Sequence, residues 1–465
     1  IQYADDTLII LPADVDQIRI FTDILEKFSA FTGLIVNYNK SSIVPINISD
    51  ERAQDLANIF NCKREAMPFT YLGLPMGSTR LKVIDLMPMV SRLDTRLSRI
   101  ASLMTYSGRL THFKATVYAL PIFAICCIRV PFNVMDHFEK SGRSFLWYGK
   151  DINKHGNSLV KWDKACLPKK AGGLGVLDLR MQNKALLTKF IYKFFNNHDI
   201  PWVRLIWNNY YNNGELPSFP TGVGSFWWRD CCSIMEKFKE MTICTVGQGN
   251  TVMLWSDKWS SQPLTTMMAQ LFSYAKNASI TLKEASNLDY DSFYEMFQLS
   301  MSSIDVQQSI QLRGLINDKE NHDQPDIWNF YWGGTKYSNK IIYLEYMGNP
   351  ADAPKPFQWI WKSCTLPRQK FFFWLLLQDR LNTRDLLTRK SFYIETNKCE
   401  LCDDEPNEHL MHLFISCDFS QFFWMNIGYQ WDTDHNLMET LLHGSKQDTY
   451  GCFKECLIAS CWSLW

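Results

Sequence analysis

The chain has 465 residues, 46% apolar and 21% charged, which describes a multi-domain globular protein with ample core and excludes a disordered or fibrous one. Its 48 basic and 48 acidic residues cancel, so no field of one sign acts over the whole molecule. The longest apolar run, Val117 to Ile128, is interrupted by Pro121 and too short to span a bilayer, so no membrane partner is expected. The fourteen Cys include the adjacent pairs Cys126-Cys127 and Cys231-Cys232, which suit buried thiols better than a disulfide framework. With no charged-then-apolar leader ahead of Ile1, the expectation is a fragment in a reducing intracellular compartment, nucleus or cytoplasm.

In chain order, Ile1 to Ala4 and Thr7 to Ile10 read as short buried strands joined by a tight turn that presents Asp5 and Asp6 at its tip. Paired carboxylates of this kind supply part of the cage that holds two Mg²⁺ ions for nucleotidyl transfer, though an Asp-Asp between apolar runs is also a common surface hairpin. Val15 to Phe31 carries Ile18, Phe21, Ile24, Leu25, Phe28 and Phe31 at helical spacing, and Gly33 ends the helix. Leu34 to Val44 reads as strand and turn, Asp50 to Phe60 as a helix, and Thr70 to Met76 as a strand bounded by glycines and proline. From Leu81 to Lys193 the pattern is helical, with one stripe at Leu93, Leu97, Ile100 and Leu103 and another at Val134, Phe138 and Phe145. Asn196 to Pro220 reads as a linker, Gly247-Gln248-Gly249-Asn250 as a turn between strands, and Ser300 to Gln324 as a second polar stretch. Gly172-Gly173-Leu174-Gly175 lacks the phosphate-loop pattern and reads as a turn.

Charge is unevenly placed. Arg80 to Ala115 holds seven basic residues against two acids, and Lys140 to Lys193 twelve against three. Such a face neutralises phosphates, although a solvated face balanced by acids elsewhere looks the same in sequence. Glu395 to Asp418 is the reverse, with seven acids and one Lys.

The second chemical signal is Cys399-Glu400-Leu401-Cys402 followed by His412 and Cys417. Cys-x2-Cys on a turn brings two thiolates to one ion, and His-x4-Cys sets the other two about a helical turn apart, so a tetrahedral Zn²⁺ closes with no open position. His409 is the rival fourth ligand. Cys452, Cys456 and Cys461 fall at near-helical spacing and suit a packed helix. Trp227, Trp228, Trp255 and Trp259 are read as core rather than base-stacking surface.

Several of these landmarks, in order, carry a family resemblance. Tyr3-Ala4-Asp5-Asp6 resembles the Tyr-x-Asp-Asp box of reverse transcriptases, and Phe31 to Ser41, with Gly33-Leu34, Asn37 and Lys40-Ser41, is similar to the element that follows it in non-LTR (LINE-type) enzymes, with Thr32 in place of the usual Ser. Phe69 to Pro75, Ser107-Gly108-Arg109-Leu110-Thr111, Phe145-Leu146-Trp147, Gly172 to Val176 and Asn183 to Leu187 follow in the family order, most like plant LINE elements. Trp359 to Lys362, Phe371 to Trp374, Glu408 and the Cys/His set resemble the zinc-binding domain that follows these enzymes, where the His precedes Leu-Phe as His412 does.

The resemblance implies a predominantly helical α+β chain: the C-terminal part of a polymerase palm over 1–80, a helical thumb and connection over 81–195, a linker and connecting region over 196–325, and a zinc-binding domain over 326–465. It implies Asp5 and Asp6 as Mg²⁺ ligands and Lys40 as a general acid toward pyrophosphate. Tyr3, Tyr71, Gly73, Arg96, Arg99 and Arg109 become primer or template contacts, and RNA template and DNA primer the partners. Family enzymes need a further upstream Asp and fingers, so the fragment is expected not to polymerise alone. Ala459 to Trp465 resembles the helix that leads into a ribonuclease H domain in relatives. The competing expectations are a non-catalytic zinc- and nucleic-acid-binding module and a decayed element remnant.

Overall fold

The computed structural model describes residues 1–98, 103–149, 158–196, 199–211, 224–298, 300–318, 324–333, 336–402, 407–448 and 451–465. It is predominantly helical with short strands, and it divides into two compact units, Ile1–Met89 and Val90–Trp465.

In the first unit, Gln2–Tyr3 and Asp6–Thr7 pair antiparallel, Gln2 opposite Thr7 and Tyr3 opposite Asp6, around a turn that holds Ala4 at φ 51°. The expected buried strands are therefore two residues each and exposed, because among the described residues this two-stranded ribbon pairs with no third strand. Helix Val15–Thr32 starts at Asp14, whose side chain accepts from the Asp16 N–H at 2.6 Å, and stops at Gly33 in the left-handed region. Its stripe forms as expected but is only partly covered. Ile18 is buried and Phe21 stacks on Phe60 at 5.6 Å, whereas Ile24, Phe28 and Phe31 stay exposed. Helix Asp50–Ile59 is capped by Ser49 and buries Ala53, Leu56 and Ala57. The expected strand over Thr70 to Met76 is instead a hairpin, Phe69–Tyr71 with Leu74–Met76. Its two turn residues, Leu72 and Gly73, both have positive φ, the backbone that matches the twist of flanking strands.

The second unit is organised around helix Leu179–Phe195, which packs against Ile122–Cys127, Phe226–Cys232, Met235–Glu240 and Asn339–Tyr346. Asp178 caps it, accepting from Arg180 and Met181 N–H at 2.9 Å each. Buried Asn183 ties it to its neighbour by donating to Ile125 O at 2.7 Å and Ile128 O at 2.8 Å while accepting from Val130 N–H at 3.2 Å. Trp228, Trp255, Trp259 and Trp328 are buried in the same core. Val134, Phe138 and Phe145 are all buried on helix Phe132–Tyr148. Of the other stripe, Leu93 and Leu97 are buried and Leu103 is exposed, and Ile100 lies outside the described residues.

One sequence expectation fails here and two others gain detail. The segment expected as a linker contains helix Pro201–Tyr210, and the polar stretch after Ser300 contains helix Ser303–Asn317, opened by reciprocal bonds between Ser302 and Asp305. The Gly247–Asn250 turn follows strand Thr242–Thr245, whose partner is Ile327–Phe330, the next strand among the described residues and about eighty residues on. The buried Asp326 carboxylate clasps that turn, accepting from the N–H of Gly247 and Gly249 at 2.8 Å, Thr251 N–H at 2.9 Å and Thr251 Oγ1 at 2.8 Å. A Cβ at Gly247 would lie 2.0 Å from Gln324 O, so only glycine admits the clasp.

The glycines at 172–175 are a turn whose amides face the protein. Gly173, Leu174 and Gly175 N–H donate to Pro168, Ala165 and Leu167 carbonyls, leaving no cradle for phosphate. Gly172 O accepts from Trp374 Nε1 at 2.9 Å, which anchors helix Pro367–Leu377. That helix packs on Tyr106–Thr116, Lys355–Lys362 and Phe453–Leu464, and it buries every residue from Phe371 to Leu377. An all-round apolar helix needs cover on every side.

Candidate metal centre

Cys399, Cys402, His412 and Cys417 converge, with one ligand atom from each lying within 4.8 Å of all the others. Two local devices bring them together. At the first pair, Lys398 bridges to Asn407 and Leu401 N–H donates to Cys399 Sγ at 3.4 Å, which folds Cys-x2-Cys into a knuckle. At the second, His412–Ser416 is a π-helical turn rather than an α-helical one, closed by Cys417 N–H donating to His412 O at 2.8 Å. The i to i+5 bond matches the His-x4-Cys interval, so the wider turn puts both ligands on one side. Carbonyls that such a turn frees are met by Ser420 Oγ on Leu413 O at 2.6 Å and Trp424 Nε1 on Phe414 O at 2.7 Å.

Cys402 Sγ stands 3.4 Å from His412 Nε2. Zn–S and Zn–N bonds of about 2.3 and 2.0 Å give tetrahedral S···N and S···S edges of roughly 3.5–3.8 Å, so the donor set fits zinc in both chemistry and size. All fourteen Cys are free thiols, none bridged. Burial, then the neighbouring Cys417 and Cys399, pushes the Cys402 thiol up to about 12, because thiolates this close repel one another without a cation. Burial, then His409, lowers the pKa of His412 and favours the neutral imidazole that binds metal. His409 is not in the cluster; its Nδ1 accepts from the His412 backbone N–H at 3.2 Å. Glu408, four residues before His412, accepts from Arg384 N–H at 3.1 Å and donates its own N–H to Asn397 O at 2.8 Å, holding the knuckle to helix Arg384–Arg389.

Residues 337–424 match the family described as zinc-binding in reverse transcriptase. The match contains all four converging ligands, and through it the chain is similar to reverse transcriptases. Over 371 residues, 76% of the chain, it is 24% identical to an Arabidopsis thaliana protein named "Putative ribonuclease H protein At1g65750", of which it covers 57%. Over 143 residues, 30% of the chain, it is 29% identical to the Arabidopsis thaliana "Uncharacterized mitochondrial protein AtMg00310", of which it covers 92%. The chain thus spans little more than half the length of the first of these relatives.

Asp5 and Asp6 lie together at the exposed ribbon, and Tyr3 is exposed beside them. Among the described residues no His, Cys, Asp or Glu joins them to make a group of three metal-ligating atoms. Lys40 is exposed and sits in a turn ahead of strand Ser42–Ile43, its N–H donating to Asn37 O at 3.0 Å. Gly73 faces open space at its hairpin tip, and the Tyr71 hydroxyl is buried without a partner among the described residues. Arg96 is exposed near the end of helix Met87–Ser98, and Arg99 lies outside the described residues.

Arg109 is engaged internally, donating to Met104 O at 3.1 Å and Leu146 O at 3.4 Å with its guanidinium over the Tyr106 ring. Other members of the basic runs are likewise engaged. Lys114 Nζ donates to Leu174 O at 2.5 Å and, mainly through burial, is lowered to about 8. Lys169 lies over the Trp361 ring, and Arg180 pairs with Asp136 at 3.3 Å and Glu139 at 3.2 Å.

The chain has no helix, among the described residues, that is long and apolar enough to cross a membrane.

Proposed function

We propose that this chain is part of an RNA-directed DNA polymerase of a plant LINE-type retrotransposon, with a structural Zn²⁺ held by Cys399, Cys402, His412 and Cys417. The observation that carries the reading is the convergence of those four ligands inside the segment that matches zinc-binding in reverse transcriptase. Four protein ligands leave no position for substrate, so the ion would fold the 399–417 segment rather than perform chemistry. Asp5 and Asp6 contribute to the two-metal Mg²⁺ site of the complete enzyme, where Lys40 acts toward pyrophosphate. Tyr3, Tyr71, Gly73, Arg96, Arg99 and Arg109 serve the primer and template side. The segments 1–80, 81–195, 196–325 and 326–465 correspond to palm, thumb and connection, connecting region and zinc domain. The partners are an RNA template and a DNA primer in the nucleus or cytoplasm.

The exposed Asp5-Asp6 pair, which gathers no third ligand among the described residues, favours a second reading: a non-catalytic zinc- and nucleic-acid-binding module or element remnant. One preparation tests both. The purified chain is stripped with a chelator, reloaded with Zn²⁺, and titrated with an RNA–DNA hybrid at low and high salt, with and without Mg²⁺ and nucleotides. One chelator-resistant Zn²⁺ and binding that weakens steeply with salt are expected. Absence of that zinc, or binding indifferent to salt, overturns the polymerase-derived reading. Zinc and salt-dependent binding are common to both readings; a Mg²⁺-dependent gain in hybrid binding that Asp5→Asn with Asp6→Asn removes selects the polymerase part, and binding indifferent to Mg²⁺ and to those substitutions selects the module.

A further inference from the structure

We propose that Asp432, His435 and His443 form a second site for a divalent transition-metal ion, exposed and exchangeable, beyond the segment that matches the zinc-binding family. One ligand atom from each of the three lies within 4.8 Å of the other two. The sequence gives no hint of it, because Asp-x2-His-x7-His becomes a cluster only through the way the chain enters helix Leu437–Gly444.

That entry is held firmly. Thr440, fully buried on the helix, donates its hydroxyl to Asp432 O at 3.2 Å and to His435 O at 3.4 Å, so the loop that carries two of the ligands is pinned to the helix that carries the third. Asn436 caps the helix by accepting from Glu439 N–H at 3.1 Å. At the far end, a Cβ on Gly444 would come within 2.3 Å of the Trp431 ring, so the residue next to Asp432 lies directly against the residue next to His443. Trp431 is in turn packed edge-on to Trp424 at 5.1 Å. The ligands therefore stand on a scaffold whose own contacts are buried, while their side chains face solvent.

The donor atoms are available and suitably aimed. Asp432 spends Oδ1 on Asp434 N–H at 3.0 Å, leaving Oδ2 at 3.3 Å from His435 Nε2. The His435 and His443 rings stand 4.8 Å apart, nearly perpendicular. Glu439 Oε2 approaches His435 Nδ1 at 3.8 Å, a carboxylate able to orient a ligating imidazole through its other nitrogen. Tetrahedral N···N edges around zinc are roughly 3.3 Å, within a side-chain rotation of this arrangement. Two imidazoles with one carboxylate suit Zn²⁺, Ni²⁺ or Cu²⁺ over Mg²⁺ or Ca²⁺, and three protein ligands leave a position for water. The thiol-rich centre is closed and structural by its donor set, whereas this one is open and shallow, so the two differ in affinity and exchange rate.

The test uses the full chain with Zn²⁺ as probe. After chelator stripping and equilibrium dialysis at neutral pH, metal per chain is measured by mass spectrometry for the parent, a His435→Gln/His443→Gln double variant and Cys417→Ser. The parent is expected to take two ions, one resistant to a mild chelator and one removed by it. The double variant, altered only at exposed side chains, should keep the resistant ion and lose the other, and Cys417→Ser should do the reverse. Equal uptake by parent and double variant overturns the proposal whatever becomes of the thiol site. Should Cys417→Ser fail to fold, Co²⁺ titration of the parent separates the two. The second equivalent should add no thiolate charge-transfer absorption and should broaden the ring signals of His435 and His443. Broadening of other histidines instead overturns the assignment.

Discussion

Helix Val15–Thr32 in the first unit and helix Pro367–Leu377 in the second show opposite relations between pattern and burial. The first is long, well capped and clearly striped, yet Ile18 is its single buried residue, and Ile20, Ile24, Phe28 and Phe31 form an exposed apolar row. The second has no stripe and buries seven successive residues, Phe371 to Leu377. A periodic pattern therefore states which face a helix can bury, and only the surrounding elements decide whether it does. At about 1.5–3 kcal/mol for each large apolar side chain fully removed from water, the stability of the molecule is concentrated in the second unit.

The sharpest way to break this comparison is at the metal centre. Cys417→Ser should abolish the tightly held Zn²⁺ and open the 399–417 segment to protease, with a loss of several kcal/mol, since structural zinc supplies on the order of 10 kcal/mol in small domains. Retention of zinc by that variant would show that the four-ligand arrangement is not what closes the segment. Next, Asp326→Ala strands three buried backbone N–H groups and the Thr251 hydroxyl, and roughly 2–4 kcal/mol should disappear in urea denaturation. A change below about 0.5 kcal/mol would mean the Gly247 turn stands without its clasp.

A smaller effect is set by pH. Burial, then Asp178, raises Glu139 from 4.5 to about 7, against the opposing pull of Arg180. The folded state then binds the proton more tightly than the unfolded one. This contribution is fully present below pH 4.5 and is lost as pH rises through about 7. Parent urea midpoints should fall across that window, and Glu139→Gln should flatten the slope; parallel profiles would remove Glu139 as the cause. Smallest of all, Ile20→Gln with Ile24→Gln on the exposed row should shift stability by no more than about 0.5 kcal/mol while improving solubility. A loss of several times that amount would show the row to be covered in solution, and the contrast between the helices would vanish.

What was legible in the sequence was local. The Cys-x2-Cys and His-x4-Cys spacings located the ligands, because each signal lies within a few turns of chain, whereas Phe371 to Trp374 was read only as a family resemblance and its all-round burial on helix Pro367–Leu377 came from the structure. The π-helical closure at His412 was not legible, since it depends on Ser420 Oγ–H and Trp424 Nε1–H donating to the freed Leu413 and Phe414 carbonyls, which they reach only in the folded form. Helix Pro201–Tyr210 was obscured by neighbouring Asn and Gly, although Pro201 at its first turn and the Val203/Ile206 spacing were available as signals. Ser302-x2-Asp305 likewise announced helix Ser303–Asn317 through its reciprocal cap. The partner of strand Thr242–Thr245 had no local trace, because pairing across some eighty residues is decided by tertiary closure.

That long-range pairing also bears on how the protein can change over generations. With both ends of the excursion tied together at Asp326 and the strand pair, the intervening chain behaves as a closed loop, and loop-closure entropy grows only logarithmically, about 0.6 kcal/mol per doubling of length. Insertions at the exposed connections inside it are thermodynamically cheap so long as Gly247, Thr251 and Asp326 persist. The clasp thus sets the exposed connections, free to drift in length, apart from a frame that is not, which includes the clasp itself and the core residues Trp255 and Trp259.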